Sequence, residues 1–246
     1  MMIDFDYLWP KYGITPFGVL HLGANTGQEA PVYAKHGVKQ VCWVEAIPKV
    51  FDELCNNISI YPGQTALNLC VGDEEGKDIV FKISNNEAQS SSYLDLGHHS
   101  IIHPEVHYID TFTTKIRRID KTFHPASFKQ GEWFLNADLQ GSELQAFKGM
   151  GGFLNDFKWV YTEVNKRDTY IGGALIDELD DYLGGVGFLR VETGKWVADT
   201  WTDALYIRRD AIDFDLMKDR SLSEMMAENP KLVDTLMMRL GLTKIK

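Results

Sequence analysis

The sequence predicts an α/β fold, a mostly parallel sheet of about seven strands with helices on both faces and a helical appendage at the C-terminus. Three observations predict it. Short apolar runs alternate with helical patterns of about ten residues, as in βαβ units. The first apolar run stops at a glycine-bounded turn, in the stretch VLHLGANTGQEA from Val19 to Ala30, and a helix follows. The last two apolar runs succeed each other without a helix, so that pair is expected to be antiparallel. Right-handed crossovers bury the parallel strands on both faces, and 246 residues suffice for one sizeable core.

Taken in order, residues 1–17 form an aromatic-rich lead-in containing Pro10 and Pro16. Val19–Leu22 reads as a strand and Gln28–His36 as a helix. Gln40–Val44 (QVCWV) is the second strand. Pro48 suits a first helical position and opens a helix to about Ile58. Thr65–Val71 reads as the third strand. Glu132–Asp138 (EWFLNAD) is the next, with a helix from Ser142 to about Lys148, and Trp159–Val164 (WVYTEV) follows. Ala174–Leu183 is helical, and Phe188–Glu192 and Ala204–Ile207 complete the series.

Two segments break this rhythm. Residues 72–131 hold an acidic turn, one strand, the polar run SNNEAQSSS and a histidine-rich stretch; so long an irregular insertion is usually functional. Residues 84–131 are read as a substrate or lid insertion in a catalytic domain spanning 18–210. Residues 211–246 carry two amphipathic helical patterns rich in Met and Leu. They are expected either to pack on the domain or to make an oligomer contact.

Composition narrows the partners. With 25 Lys and Arg against 35 Asp and Glu, the chain carries −10 charges at pH 7. That offers no general attraction for phosphate backbones, so no nucleic-acid partner is expected. Cys42, Cys55 and Cys70 are odd in number and form no CxxC pair, which fits a reduced interior. No apolar run approaches the roughly 18 residues of a membrane span. The start MMIDFDYLWP has two aspartates and no basic segment. It does not read as a signal peptide, and a cytoplasmic location is expected.

The glycine turn poses the ligand question. A dinucleotide site favours G-x-G-x-x-G, because the pyrophosphate approaches backbone N–H groups. Here the pattern is Gly23-Ala24-Asn25-Thr26-Gly27. Asn25 takes the middle glycine position, which weakens a phosphate reading. S-adenosylmethionine has no phosphate and needs an acid for its ribose. Glu45, just past the second strand, has the place and approximate spacing for that. A solvated strand-end charge is the plainer reading of Glu45.

The blocks GANTGQE, WVEAIP, NLCVGDEEG, SSSYL, DLQGSELQAFKG and TEVN resemble, in order and spacing, the motifs of FkbM-type class I methyltransferases, over residues 18–208. The resemblance implies a Rossmann-like methyltransferase fold, S-adenosylmethionine as donor, and a hydroxyl acceptor on a carbohydrate or related metabolite. It implies that Gly23, Ala24, Asn25, Thr26 and Gln28 line the methionine part and Glu45 the ribose, with Ala46 beside it. Val71, Gly72 and Asp73, at the third strand tip, lie near adenine; Asp73 is equally a turn cap. Two positions depart from the pattern. His21 stands where the family often has aspartate, and Ala46 where it often has proline.

Methyl transfer to oxygen is an in-line displacement requiring an oriented acceptor and a proton acceptor. Asp138 and Glu163 end adjacent strands, where mutual repulsion can raise one pKa and make a base. They could instead hold a divalent cation with the acceptor hydroxyls, or only bond loop N–H groups; no metal is assigned. Glu143 reads as a base or as a structural cap in a first helical turn. Ser92 is placed at the cofactor, and Ser91, His99, Gln140, Asn165 and Tyr170 at the acceptor. His98, His99, His103 and His107 read as a polar lid, with zinc binding or a base as sharper alternatives. The rivals are an NAD(P)-dependent oxidoreductase and a non-catalytic binding module of the same fold. A homo-oligomer through residues 213–246 is a further expectation.

Overall fold

The computed structural model describes residues 3–240. In chain order the elements are α1 (Phe5–Tyr12), β1 (Gly18–Leu22), α2 (Ala30–Lys35), β2 (Gln40–Glu45), α3 (Pro48–Ile58), β3 (Gln64–Asn68), β4 (Cys70–Val71), β5 (Asp78–Ser84), α4 (His99–Ile102), β6 (Tyr108–Arg117), α5 (Ile119–Thr122), β7 (Trp133–Ala137), α6 (Glu143–Met150), β8 (Phe157–Asn165), α7 (Ile176–Val186), β9 (Phe188–Thr193), β10 (Trp201–Arg208), α8 (Leu222–Glu228) and α9 (Pro230–Arg239). Among the described residues the main sheet has seven strands, ordered β3-β2-β1-β7-β8-β10-β9. The first five are parallel to their neighbours, and β10 runs antiparallel between β8 and β9.

Alternation along the strands explains the two layers of core. Leu20, Cys42, Leu135 and Val160 point to one face and meet α5, α6 and α7 through Ile119, Phe147, Leu179 and Leu183. Val19, Trp43, Phe134 and Leu205 point to the other and meet α1, α2, α3, α8 and α9. After β3 the chain returns to the middle of the sheet and places β7 beside β1. That reversal makes a crevice at the carboxyl ends of β1 and β7, the usual ligand position in open α/β sheets.

Four expectations need correction. The third strand is not continuous: β3 joins the main sheet, whereas Cys70 and Val71 pair with β6. Residues 72–131 hold a second strand besides the one expected: β5 and the ten-residue β6 form an antiparallel pair. The Thr-rich sequence YIDTFTTKIR is mostly solvated, so it lacks the apolar alternation that marks a strand. The lead-in contains α1 despite Pro10: Asp4 caps it by accepting from Asp6 N at 2.9 Å, and Phe5, Leu8, Trp9 and Tyr12 are buried. Finally, α2 begins at Ala30, two residues later than predicted, with Pro31 in its first turn.

The C-terminal helices pack on the domain through Met217, Met225 and Leu232. They leave Leu222, Met226 and Met238 exposed. Among the described residues no helix is long and apolar enough to cross a membrane.

Candidate active site

The crevice widens into a cavity of about 680 Å³ at the carboxyl edge of the main sheet. Its floor is set by backbone contact. Gly23 has φ +78°, and a Cβ there would lie 1.8 Å from the Asp138 carbonyl oxygen. Only glycine lets the turns after β1 and β7 come this close. Asn25 also has positive φ, at +45°, a conformation asparagine tolerates better than most residues. Its Oδ1 accepts from Thr26 N at 2.7 Å, which locks the turn.

Glu45 ends β2 and is buried. Its two carboxylate oxygens accept from Asn25 N at 2.9 Å and Ile47 N at 2.8 Å. Burial nevertheless pushes its pKa up to about 7. Each oxygen keeps a lone-pair direction for a further donor. His21 lies on β1, and burial holds its pKa down to about 3, so the imidazole is neutral. Its Nδ1 is 3.3 Å from the Tyr33 hydroxyl, which accepts from Asn136 Nδ2 at 2.8 Å. A residue the sequence reading passed over, Glu29, stands 3.9 Å from that imidazole. Burial raises Glu29 to about 7, and its Oε2 has no hydrogen-bond partner among the described residues. Glu29, the residue before α2, thus places an acid beside the end of β1.

Asp138, Gln140 and Glu163 are brought together at the tips of β7 and β8. Gln140 Nε2 donates to Asp138 Oδ1 and, at 3.5 Å, to Glu163 Oε2. Its Oε1 accepts from the Tyr170 hydroxyl. The amide is therefore gripped at both ends. Gln140 has φ +51° and the next residue, Gly141, φ +96°; a Cβ on Gly141 would strike Tyr170 at 2.6 Å. The Asp138 carboxylate opens into the cavity but is ringed by protein, and this desolvation raises its pKa. Glu163 is buried and raised well above the carboxylate range, first by desolvation and then by Asp138 and Glu143. Glu143 is not in the cavity wall. Its Oε1 accepts from Leu139 N at 2.8 Å and Gly141 N at 3.2 Å, so it holds the loop as a structural acceptor. Ser142 occupies the cap position of α6 but donates instead to Leu139 O at 3.0 Å.

The expected residues divide cleanly between wall and support. Gly23, Ala24, Asn25, Gln28, Glu45, Ala46, Val71, Ser91, His99, Asp138, Gln140, Glu163 and Tyr170 line the cavity. Thr26, Gly72, Asp73, Ser92 and Asn165 stand outside that lining. Thr26 turns its carbonyl to Asn57 Nδ2 at 2.9 Å. Gly72 and Asp73 follow β4 into the second sheet, where Gly72 abuts α6 at Gly149 and the Asp73 carbonyl accepts from Arg118 Nη1 at 2.8 Å. Ser92 donates to the Gln140 carbonyl at 2.9 Å and so fixes the loop from behind. Asn165 Nδ2 donates to Glu163 Oε1 at 3.1 Å.

Over the opposite wall, Ser90 Oγ meets His99 Nε2 at 3.1 Å, and burial lowers the His99 pKa. Among the described residues no three His, Cys, Asp or Glu side chains converge as a metal set. The histidines do not share a helical face, because α4 ends at Ile102. Wall residues that sequence reasoning missed are Glu29, Tyr161, Trp201 and Asp203. Asp203 is buried, and desolvation followed by repulsion from Asp138 pushes it up to about 7. The one available signal was an acid inside the apolar run WTDALYI.

Six carboxyl groups, Glu29, Glu45, Glu105, Asp138, Glu163 and Asp203, thus line one cavity whose described lining contains no Lys or Arg. Such a wall favours a cationic ligand and disfavours a pyrophosphate.

The sequence model described as the methyltransferase FkbM domain matches residues 21–190. No curated protein matches the chain. Among similar solved structures, magnesium protoporphyrin IX methyltransferase from Synechocystis, with bound SAM, is 11% identical, covering 77% of this chain and 69% of that one, with a TM-score of 0.42. The N-methyltransferase NodS from Bradyrhizobium japonicum, in complex with S-adenosyl-L-homocysteine, is 11% identical over 78% of this chain and 77% of its own, TM-score 0.42. Ribosomal protein L11 methylase from Lactobacillus delbrueckii subsp. bulgaricus is 10% identical over 79% and 71%, TM-score 0.42.

Proposed function

This chain belongs to the FkbM methyltransferase family, and from that premise we propose that it transfers the methyl group of S-adenosylmethionine to a hydroxyl of a carbohydrate or related metabolite. The wall fits this donor on its own chemistry. The cofactor carries a sulfonium and an ammonium, and the cavity offers carboxylates without a Lys or Arg in its lining. Ala24, Asn25 and Gln28 would hold its methionine part, Glu45 its ribose hydroxyls, and Ala46 and Val71 its base. When bound, the cofactor supplies an electrophilic methyl on a good leaving group.

The observation that carries the hydroxyl reading is the Asp138–Gln140–Glu163 constellation. A sugar hydroxyl is a feeble acid, so its proton needs an acceptor as the new C–O bond forms. Asp138 Oδ2 is the proposed acceptor, since Gln140 engages Oδ1. Glu163, next to it, raises the proton affinity of the pair by repulsion. Gln140, anchored by Tyr170, keeps the Asp138 carboxylate oriented toward the cavity. Ser91 and His99 would face the acceptor, and Asn165 supports Glu163 from behind. A small acceptor suits this wall better than nucleic acid, because the described lining has no Lys or Arg to meet phosphates.

The test is transfer of label from methyl-labelled S-adenosylmethionine to a panel of hydroxylated acceptors, with products separated as O- or N-methylated. An O-methyl sugar product formed by the wild type and lost in Asp138→Asn supports the reading. Label transferred only to nitrogen, carbon or nucleic acid contradicts it.

A further inference from the structure

The serine run of the insertion, Ser90-Ser91-Ser92, grips Gln140 at two points. Ser92 Oγ donates to the Gln140 backbone carbonyl at 2.9 Å. The side-chain amide is reached through Tyr170. Its hydroxyl donates to Gln140 Oε1 and is also hydrogen-bonded to the Ser90 hydroxyl. Ser90 Oγ in turn lies 3.1 Å from His99 Nε2. Ser90, His99 and Tyr170 are all buried, and all line the cavity. Backbone bonds carry His99 to this place: Gly97 N and His99 N donate to the Thr169 carbonyl, just before Tyr170, at 2.9 and 3.3 Å.

The protons available give this series a direction. A carboxylate only accepts, so Gln140 turns Nε2 to Asp138 and Oε1 to Tyr170. Tyr170 spends its one proton there, and its oxygen is left as an acceptor. Ser90 Oγ already accepts from Asn86 Nδ2 at 2.9 Å and has one proton to give. Given to Tyr170, that proton leaves the Ser90 oxygen to accept from His99 Nε2–H, and both contacts are bonds. Given to His99, it leaves the Ser90 and Tyr170 oxygens with no proton between them, a bond lost in a buried site. His99 Nδ1 has no partner among the described residues, so Nε2 is the nitrogen that engages the network.

We propose that Ser90 and His99 are positioning residues for methyl transfer: through Tyr170 and Gln140 they hold the Asp138 carboxylate toward the acceptor hydroxyl. The insertion thereby completes the base. This rests on the reading of Asp138 as proton acceptor given above.

The first test needs no acceptor. The full chain, with labelled histidine and bound S-adenosylhomocysteine, is studied by nitrogen NMR at about pH 8, above the ordinary histidine pKa. Such spectra separate a protonated ring nitrogen from a bare one, and His99→Gln identifies the signal. The wild type should carry the His99 proton on Nε2. A bare Nε2 overturns the proposal.

The second test is transfer from methyl-labelled S-adenosylmethionine to the hydroxylated acceptors. Ser90→Ala and His99→Ala should each lower kcat about tenfold, the effect of one buried hydrogen bond. Affinity for S-adenosylhomocysteine should stay within about twofold of the wild type, which also shows that both variants fold. As links in series, the two changes together should cost no more than the larger one alone. A glutamine amide nitrogen takes the place of Nε2 and an asparagine nitrogen that of Nδ1. His99→Gln should therefore keep about fivefold more kcat than His99→Asn. Unchanged kcat in Ser90→Ala, additive losses in the double variant, or His99→Asn ahead of His99→Gln overturns the proposal. An Asp138→Asn variant as fast as the wild type removes the base assignment itself, and the proposal with it.

Discussion

Carboxylates cluster in two regions of this molecule, and among the described residues Arg or Lys side chains meet them in only one. Beneath α8, Arg190 holds Asp180 through Nε at 3.0 Å and Nη2 at 2.9 Å, and Glu228 through Nη1 at 2.9 Å. Arg220 approaches Glu228 at 3.9 Å, and Tyr206 donates to Asp180 at 2.8 Å. That network ties α7, β9 and α8 together and is complete within the chain. At the carboxyl edge of the sheet, six acids line a cavity with no Lys or Arg in its described lining. Desolvation raises Glu29, Glu45, Asp138, Glu163 and Asp203, whereas Glu105 is exposed and lowered. The first arrangement is structural. The second presents acids that a sulfonium donor would meet in the cavity.

Several changes would break or sharpen this contrast. Asp138→Asn should have the largest effect, lowering methyl transfer about 10²- to 10⁴-fold while binding of S-adenosylhomocysteine stays within a few-fold. An unaltered transfer rate would leave the cavity acids with an electrostatic role alone. In the structural region, Arg190→Met should leave half-buried Asp180 without its cation and Glu228 with Arg220 alone, 3.9 Å away. A loss of about 3–5 kcal/mol is expected, read as a drop of about 6–20 °C in Tm. Asp203→Asn should have the opposite sign. It removes a charge that repels its neighbours and keeps an acceptor for Tyr161, so Tm should hold or rise by up to about 4 °C. A marked fall in Tm would show that the cavity acids are stabilised inside the apo chain after all.

The pH dependence gives a smaller and more general check. Glu29 and Glu45 have folded pKa values near 7 against an ordinary 4.5. Between these values the folded state binds more protons than the unfolded one. Unfolding free energy therefore falls as pH rises from about 4.5 to 7 and is level beyond. Glu45→Gln should flatten that slope in the apo protein, measured by denaturant unfolding across the window. A slope that the substitution leaves intact would mean Glu45 is not raised.

Much of the fold was legible because its signals are local. Pro48–Ile58 matches α3 residue for residue, and β1, β2, β7 and β8 follow apolar runs bounded by turn residues. Polar β6 and proline-containing α1 were not legible, since tertiary packing rather than periodicity stabilises them. The site shows the same division. Gly23, Glu45 and Asp138 sit at or just after the ends of parallel strands, with Glu163 two residues before the end of β8, and strand ends can be read from sequence. Asp203 and Trp201 lie at the start of β10, which reaches the cavity only because it runs backwards between β8 and β9. Nothing local in WTDALYI reveals that direction. Glu29 was obscured in another way: it looked like part of a helix face and proved to be the residue before α2, turned toward His21.

The central claim is that the acidic cavity at the β1–β7 crevice is a S-adenosylmethionine site. The most direct measurement is thermal unfolding with S-adenosylhomocysteine, with NAD⁺ and NADP⁺ alongside. At about 100 times its dissociation constant the ligand should add about 2.7 kcal/mol, or about 5–11 °C, and Glu45→Ala should abolish the shift. A shift with NAD⁺ or NADP⁺ instead, or with S-adenosylhomocysteine undiminished in Glu45→Ala, would contradict the assignment of this cavity.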